Sequence, residues 1–480
     1  MTGSGNFRES HSGPVILAVL GLLVLAGVAT GIAPAYASSF TVQGPLGSGL
    51  CVLNGGTWNS GTNTCALSGT VWTIANGTAL IIPGGVTLSS SGTINVYGRL
   101  DINNGTLANQ FGGSISINHT VYNAGGTFTN NGSVVNVEHG RIRLLQHAKL
   151  VNLGSGVISN YALIASNNHG SITNLGSITD YALGRIDNDN HATLNNAGTI
   201  VNSHKGRISG ENYVVITNLG SGTISNNGTI TVYGHGTIVN NGTLANLNSG
   251  AIRTDVRGTF TNFGTLTNLG TVVGSVLSVI ANHGIMTNSF GAVLRTATRG
   301  TIINYQSATI DNRGIMATYC LGTIVNNGTL ANLNSGAIRT GACGTFTNFG
   351  TLTNLGTVVD SVLSVIANHG IMTNSFGAVF RTDILGAIIN YQSATIDNNG
   401  SLTIGNYAKM VNSGTITNYN PAVILNSHRA VITNNLSGTI NNFGLVKNRG
   451  TVDNYGTIHN TADGGTFNPA GTINNYGTID

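Results

Sequence analysis

The residues best suited to chemistry in this sequence form one short cluster, RIDNDNH at 185–191. Paired carboxylates flanked by basic and imidazole groups are what a glycosidase or polysaccharide lyase uses for general acid and base work. The same groups can also hold a cation or the hydroxyls of a sugar. Residues one repeat away extend the set: in the register derived below, Arg185 lies beneath Arg207, Asp189 beneath Glu211 and His169 beneath His191, with Asp187 and Tyr213 beside them. One face of three successive coils would then carry a mixed-charge patch open to carbohydrate or a cation. The competing reading is a solvated turn region with incidental charges, and the composition favours it. Only 34 of 480 residues are Asp, Glu, Lys or Arg, so acid–base chemistry has little to draw on. A net charge of +4 spread this thinly gives nucleic acid little to hold. No Walker loop, Gly-x-Ser-x-Gly, His-Glu-x-x-His or calcium-repeat motif is present. His283 and His369 recur in equivalent turns without a ligand set around them, and no cofactor is expected.

The elements that would position these residues follow from the repeat. Gly accounts for 69 residues and Asn for 64. Residues 237–313 and 323–399 align at an offset of 86 with 67 of 77 positions identical. Inside this duplication runs a shorter unit, Gly-Thr-Ile-x-Asn-x, clearest in GTFTNFGTLTNLGTV at 258–272 and repeated from Gly92 to Gly477. Alternating Thr, Ile and Val make a short strand with Ile and Asn on one face. Gly and Asn supply the tight turns on either side. A lone inward Ile cannot bury itself, so the units must coil and stack. Three units make a coil of 20–22 residues. The expected fold is therefore all-β, a three-sided parallel β-helix of about 18 coils, and it would run on the order of 90 Å at one strand spacing per coil. The inward Asn side chains should stack as a hydrogen-bonded ladder. Of the ten differences between the two copies, seven fall at 255–257 and 297–301, in the longer turns.

Residues 15–33 are almost wholly apolar, and Ala35-Tyr36-Ala37 follows them. This pattern predicts an export signal over residues 1–37 cut after Ala37; the alternative is an uncleaved membrane anchor at 15–33 with the repeats outside. The cysteines agree with export. Cys51 and Cys65 close a Gly/Asn/Thr loop, which pins a cap over residues 38–91 ahead of the repeats at 92–480. Cys320 and Cys343 arise together in the second copy, close to one coil apart, and a coil-to-coil disulfide is expected. Asn227, Asn241 and Asn327 are candidate glycosylation sites among nine Asn-x-Ser/Thr sequons.

The NxGTI units resemble the repeats of bacterial and archaeal surface β-solenoids, including filamentous haemagglutinin-like adhesins and autotransporter passengers. The opening CVLNGGTWNSGTNTC and the following IIPGGVTLSSSGTINVYGRL resemble the start of exported proteins with such arrays. The resemblance implies a right-handed β-helix at the cell surface acting as a stalk, coat or adhesin. A carboxyl-terminal barrel, sorting signal or apolar tail is not evident. The final repeat (GTINNYGTID) shows no polar cap, so end-to-end self-association joins cell-surface components and carbohydrate as expected partners. A carbohydrate-active enzyme on the same fold is the alternative.

Overall fold

A computed structural model describes residues 41–461 and 466–480; the expected export signal and its cleavage point at Ala37 lie outside the described residues. The unit Phe40–Asp480 is built from three parallel sheets, each taking every third strand, wound through about 19 turns. Successive strands Thr93–Val96, Arg99–Asn103 and Thr106–Asn109 open the cycle, and Ser114–Ile117 then returns to pair with Thr93–Val96. We call the sheets of these three strands the first, second and third. The repeat therefore behaves as its pattern dictates: in Thr-Ile-Thr-Asn at 415–418 the first and third side chains face out while Ile416 and Asn418 are fully buried. Coils vary more than the expected 20–22 residues, from 18 between Asn442 and Asn460 to 24 between Asn202 and Asn226. The extra residues are absorbed in the turns, so register within the sheets is kept.

Apolar side chains stack on their own kind. In the first sheet Ile94, Ile115, Val134 and Ile158 begin a column of identical inward positions. Each fully buried aliphatic contributes about 1.5–3 kcal/mol before chain entropy is charged against it.

Two of the three edges are stitched by asparagine. At the end of the third sheet's strands, 18 asparagines from Asn109 to Asn475 form an unbroken ladder: each Nδ2 donates to Oδ1 of the next coil at 2.7–2.9 Å. The same Nδ2 also reaches corner carbonyls, as Asn152 does to Gly156 at 3.0 Å. Glycine is required at these corners by proximity: a Cβ on Gly242 would lie 2.2 Å from the Gly222 carbonyl oxygen. The first sheet's strands end in a similar ladder, Asn136 to Asn460, interrupted at Asp180.

Six buried asparagine oxygens lack a partner, those of Asn109, Asn123, Asn136, Asn188, Asn202 and Asn426. The residues one coil beneath them are Ser90, Ile102, Ile117, Ser166, Asp180 and Ile404, none an asparagine. Every buried bond from asparagine to asparagine donates toward higher residue numbers, so the lowest oxygen of each segment has no amide below it.

The amino-terminal end differs. After a first strand, Thr41–Pro45, come a short helix, Ser48–Leu53, and an antiparallel pair, Thr57–Asn59 with Thr64–Leu67. Parallel pairing begins at Thr41 with Thr78 and continues at Thr64 with Thr87 and Val71 with Thr93, so the coils reach back through the segment 38–91 assigned to the cap. Trp72 is buried in the first of them.

Candidate functional site

The third edge, where the second sheet's strands turn into the third sheet, carries no long ladder. Its inward positions read Asn123, Leu144, Ser166, Asn188, Gly210, Val232 and Thr254 in successive coils. The turn itself is what the sequence builds here. Gln146 and His147, Asn168 and His169, Asn190 and His191, Asn212 and Tyr213, and Gly234 and His235 occupy the left-handed region in consecutive pairs, with φ between 47° and 66°. In the first three, the following amide closes the turn, Ala148 N–H to the Leu145 carbonyl at 3.1 Å and its counterparts at 3.2 Å. Two consecutive positive φ values define a type I′ turn, and Asn and His are among the few non-glycine residues that tolerate them.

Because each turn repeats the one below, the second residue of each projects identically. His147, His169, His191, Tyr213 and His235 form one exposed column of parallel rings, with centroids 5.0–5.2 Å apart and planes within 11°. The sequence cluster includes His169, His191 and Tyr213 but not His147 and His235, which extend the column at the same 22-residue interval, 147, 169, 191, 213, 235. Asn168, Asn190 and Asn212 run alongside, joined by amide bonds of 3.4 and 3.2 Å. Stacking sets the rings face to face along an exposed column.

The charged residues lie on the adjoining strands. Arg185 pairs in register with Arg207 and Asp189 with Glu211. Arg185 is bonded to Asp187 at 2.7 Å, and the other Asp187 oxygen accepts from the Ser209 hydroxyl. Asp189 accepts from the Asn190 amide at 2.7 Å and from Asn212 Nδ2 at 3.1 Å. Both aspartates are thus engaged in holding strand and turn together. Among the described residues no group of three His, Cys, Asp or Glu is disposed to hold a metal ion.

Two carboxyls are buried instead. Asp180 stands in the first sheet's ladder, accepting from Asn160 Nδ2 at 2.6 Å and from the Arg207 amide at 3.1 Å. Burial, outweighing these bonds, pushes it up to about 7. Asp360, on the third edge, is likewise pushed up to about 7 by burial, against a hydrogen bond from the Thr340 hydroxyl.

Cys51 and Cys65 are joined, with Cα atoms 5.7 Å apart and both side chains buried. The expected bridge between Cys320 and Cys343 does not form in this structure: both thiols are free and exposed. The coil is 22 residues here, Ile315 pairing with Ala337, so a spacing of 23 puts the two cysteines one residue out of step. Cys343 shares the left-handed position of Leu321, φ 57° and 59°, and Leu321 bonds to the Ala342 carbonyl at 3.0 Å. Asn227, Asn241 and Asn327 each begin the two-residue bend after a ladder asparagine. Asn241 is exposed and the other two half-buried; all nine sequons lie outside the ladders.

No family model matches the chain, and no curated protein matches it. Among solved structures, the chain is similar to a TibC-catalysed hyper-glycosylated TibA fragment, at 13% identity over 86% of this chain and 97% of that one. The TM-score is 0.18.

Proposed function

We propose that this chain is an exported, non-enzymatic β-solenoid that serves at the cell surface as a stiff structural or adhesive element. The observation that carries the reading is the unbroken ladder from Asn109 to Asn475, which ties every coil it crosses to the next by an amide bond, buried as far as Asn454. Chains of such bonds polarise one another and hold a single register. Asp187 and Asp189, the carboxylates an enzyme would need, are engaged in turn geometry, which further supports a mechanical role. The export pattern over residues 1–37 supports a surface location.

Negative-stain electron microscopy of residues 38–480 tests this. Discrete rods on the order of 90 Å fit a stalk or adhesin, and longer filaments fit a polymerising coat component. Globular particles overturn the reading. Turnover of polysaccharide, lost on substituting Asp187 and Asp189, would put an enzyme in its place.

A further inference from the structure

The outer face of the second sheet carries an arginine on every second strand through the duplicated region. The register runs Arg253, Val273, Arg295, Ala317, Arg339, Val359, Arg381. At one strand spacing per coil the guanidinium-bearing positions recur about every 9.6 Å. Among the described residues none of the four is in an ion pair; Arg295 lies over Tyr319 and donates to its hydroxyl at 2.8 Å. Small apolar residues fill the gaps, and two adjoining clefts of about 470 and 310 Å³ run from Arg295 past Arg339 to Arg381.

The duplication explains how the row arose. Its offset of 86 residues is four coils, two full periods of the row, so copying Arg253 and Arg295 as Arg339 and Arg381 extended it without a break in phase. Eight of the ten differences between the copies fall on this sheet or in the turn after it, at 255–257, 274, 294 and 297–299. The arginines are unchanged amid that variation.

We infer that this face binds a linear acidic polysaccharide carrying one anionic group per disaccharide, laid parallel to the solenoid axis. A guanidinium fork matches a carboxylate or sulfate bidentately. The interval between arginines is about the rise of two extended sugar units, and Val273, Ala317 and Val359 leave a low apolar floor for the intervening ring. A nucleic acid strand would need exposed aromatic faces for its bases; the row offers Tyr319, which Arg295 already covers. The two halves are unequal. The first copy adds Arg257 and Arg299 in its turns against Asp255, whereas the second has Cys343 and Leu385 there and gains Asp360 and Asp383. The first copy is therefore the stronger half of the site.

The test is binding of the full chain to hyaluronate, with one carboxylate per disaccharide, at low and at physiological salt. The variant R253Q/R295Q/R339Q/R381Q should bind about tenfold or more weakly and with a shallower salt dependence. R253Q/R295Q should lose more than R339Q/R381Q. The charge-matched K149Q/K409Q, on exposed positions of the third sheet, should bind as the parent does. Circular dichroism checks that each variant is folded. The inference is overturned if the parent does not bind hyaluronate at low salt or if K149Q/K409Q loses binding equally. It is also overturned if a single-stranded oligonucleotide binds as tightly through the same arginines. None of these results bears on the rod, which microscopy tests separately.

Discussion

Two of the edges and the third obey different rules. At the ends of the first and third sheets, asparagine follows asparagine for most of the length, each carboxamide fixed by its neighbours above and below. Along the third edge the equivalent position is filled by Asn, Leu, Ser, Gly, Val, Thr or Asp over the twelve coils from Asn123 to Asp360. This is also the edge that bears the imidazole column, the buried Asp360, both free cysteines and most of the divergence between the duplicated copies. A side chain in a ladder answers to two neighbours and cannot change alone. A side chain on the third edge belongs to no long ladder, and its bonds are local, as from Thr340 to Asp360. The solenoid thus separates what holds it together from what it can display.

The sharpest way to break that division is to remove one ladder rung. Asn240→Ala leaves Asn262 Oδ1 without its donor and opens a small cavity, so it should destabilise the chain by about 2–4 kcal/mol in chemical denaturation. Thr254→Ala, on the third edge, removes a buried hydroxyl that has no partner and should change stability by less than about 1 kcal/mol. Equal effects would erase the distinction.

Asp180 offers the converse, a flawed rung that can be repaired. Its carboxyl sits at about 7 in the folded chain against an ordinary 3.8, so the folded state holds a proton the unfolded state releases. The resulting penalty develops as pH rises from about 4 and is complete above about 7. Asp180→Asn should therefore stabilise by about 2–4 kcal/mol at pH 8, with the gain fading toward pH 4. A pH-independent gain would show that the missing donor to Asn202, rather than the charge, was at fault.

On the third edge the same logic acts without a ladder to mend. Asp360→Gly restores the residue of the first copy at Gly274 and relieves a similar buried charge, but strands the Thr340 hydroxyl. About 1–2 kcal/mol of stabilisation at pH 8 is expected, below that of Asp180→Asn. Smallest of all should be His191→Ala, which interrupts the exposed ring column between His169 and Tyr213. An unfolding change of about 0.5 kcal/mol is expected. A loss comparable with Asn240→Ala would make the column structural.

The sequence was most legible where position and chemistry repeat together. Ile416 and Asn418 could be assigned inward from a four-residue alternation, and the ladder followed from putting like on like. His169 beneath His191 follows by the same reasoning, whereas the column's ends at His147 and His235 lie outside the charged cluster at 185–213. The arginine row escaped for a different reason. Its period is two coils, twice the repeat being sought, and every second member is an unremarkable Val or Ala. Cys320 and Cys343 show the limit of counting. A spacing of 23 is close to a coil, but the local coil is 22 residues, which leaves the two cysteines one residue out of step and both thiols free. The start of the coils was equally hidden, since Thr64–Leu67 and Val71–Ile74 join the stack without the repeat's asparagine.

The one-way sense of the ladders gives the stack a direction in assembly. A coil already in place presents an N–H with its oxygen partner not yet arrived, and the next coil toward the carboxyl terminus brings that oxygen. Approached from the other side, a coil presents a carbonyl awaiting a donor. The two growth fronts are chemically distinct, a row of donors against a row of acceptors. A chain threaded amino end first into an empty compartment would meet, at each step, a waiting donor and never a blocked one. Winding can therefore keep pace with delivery, each turn serving as the template for the one that follows.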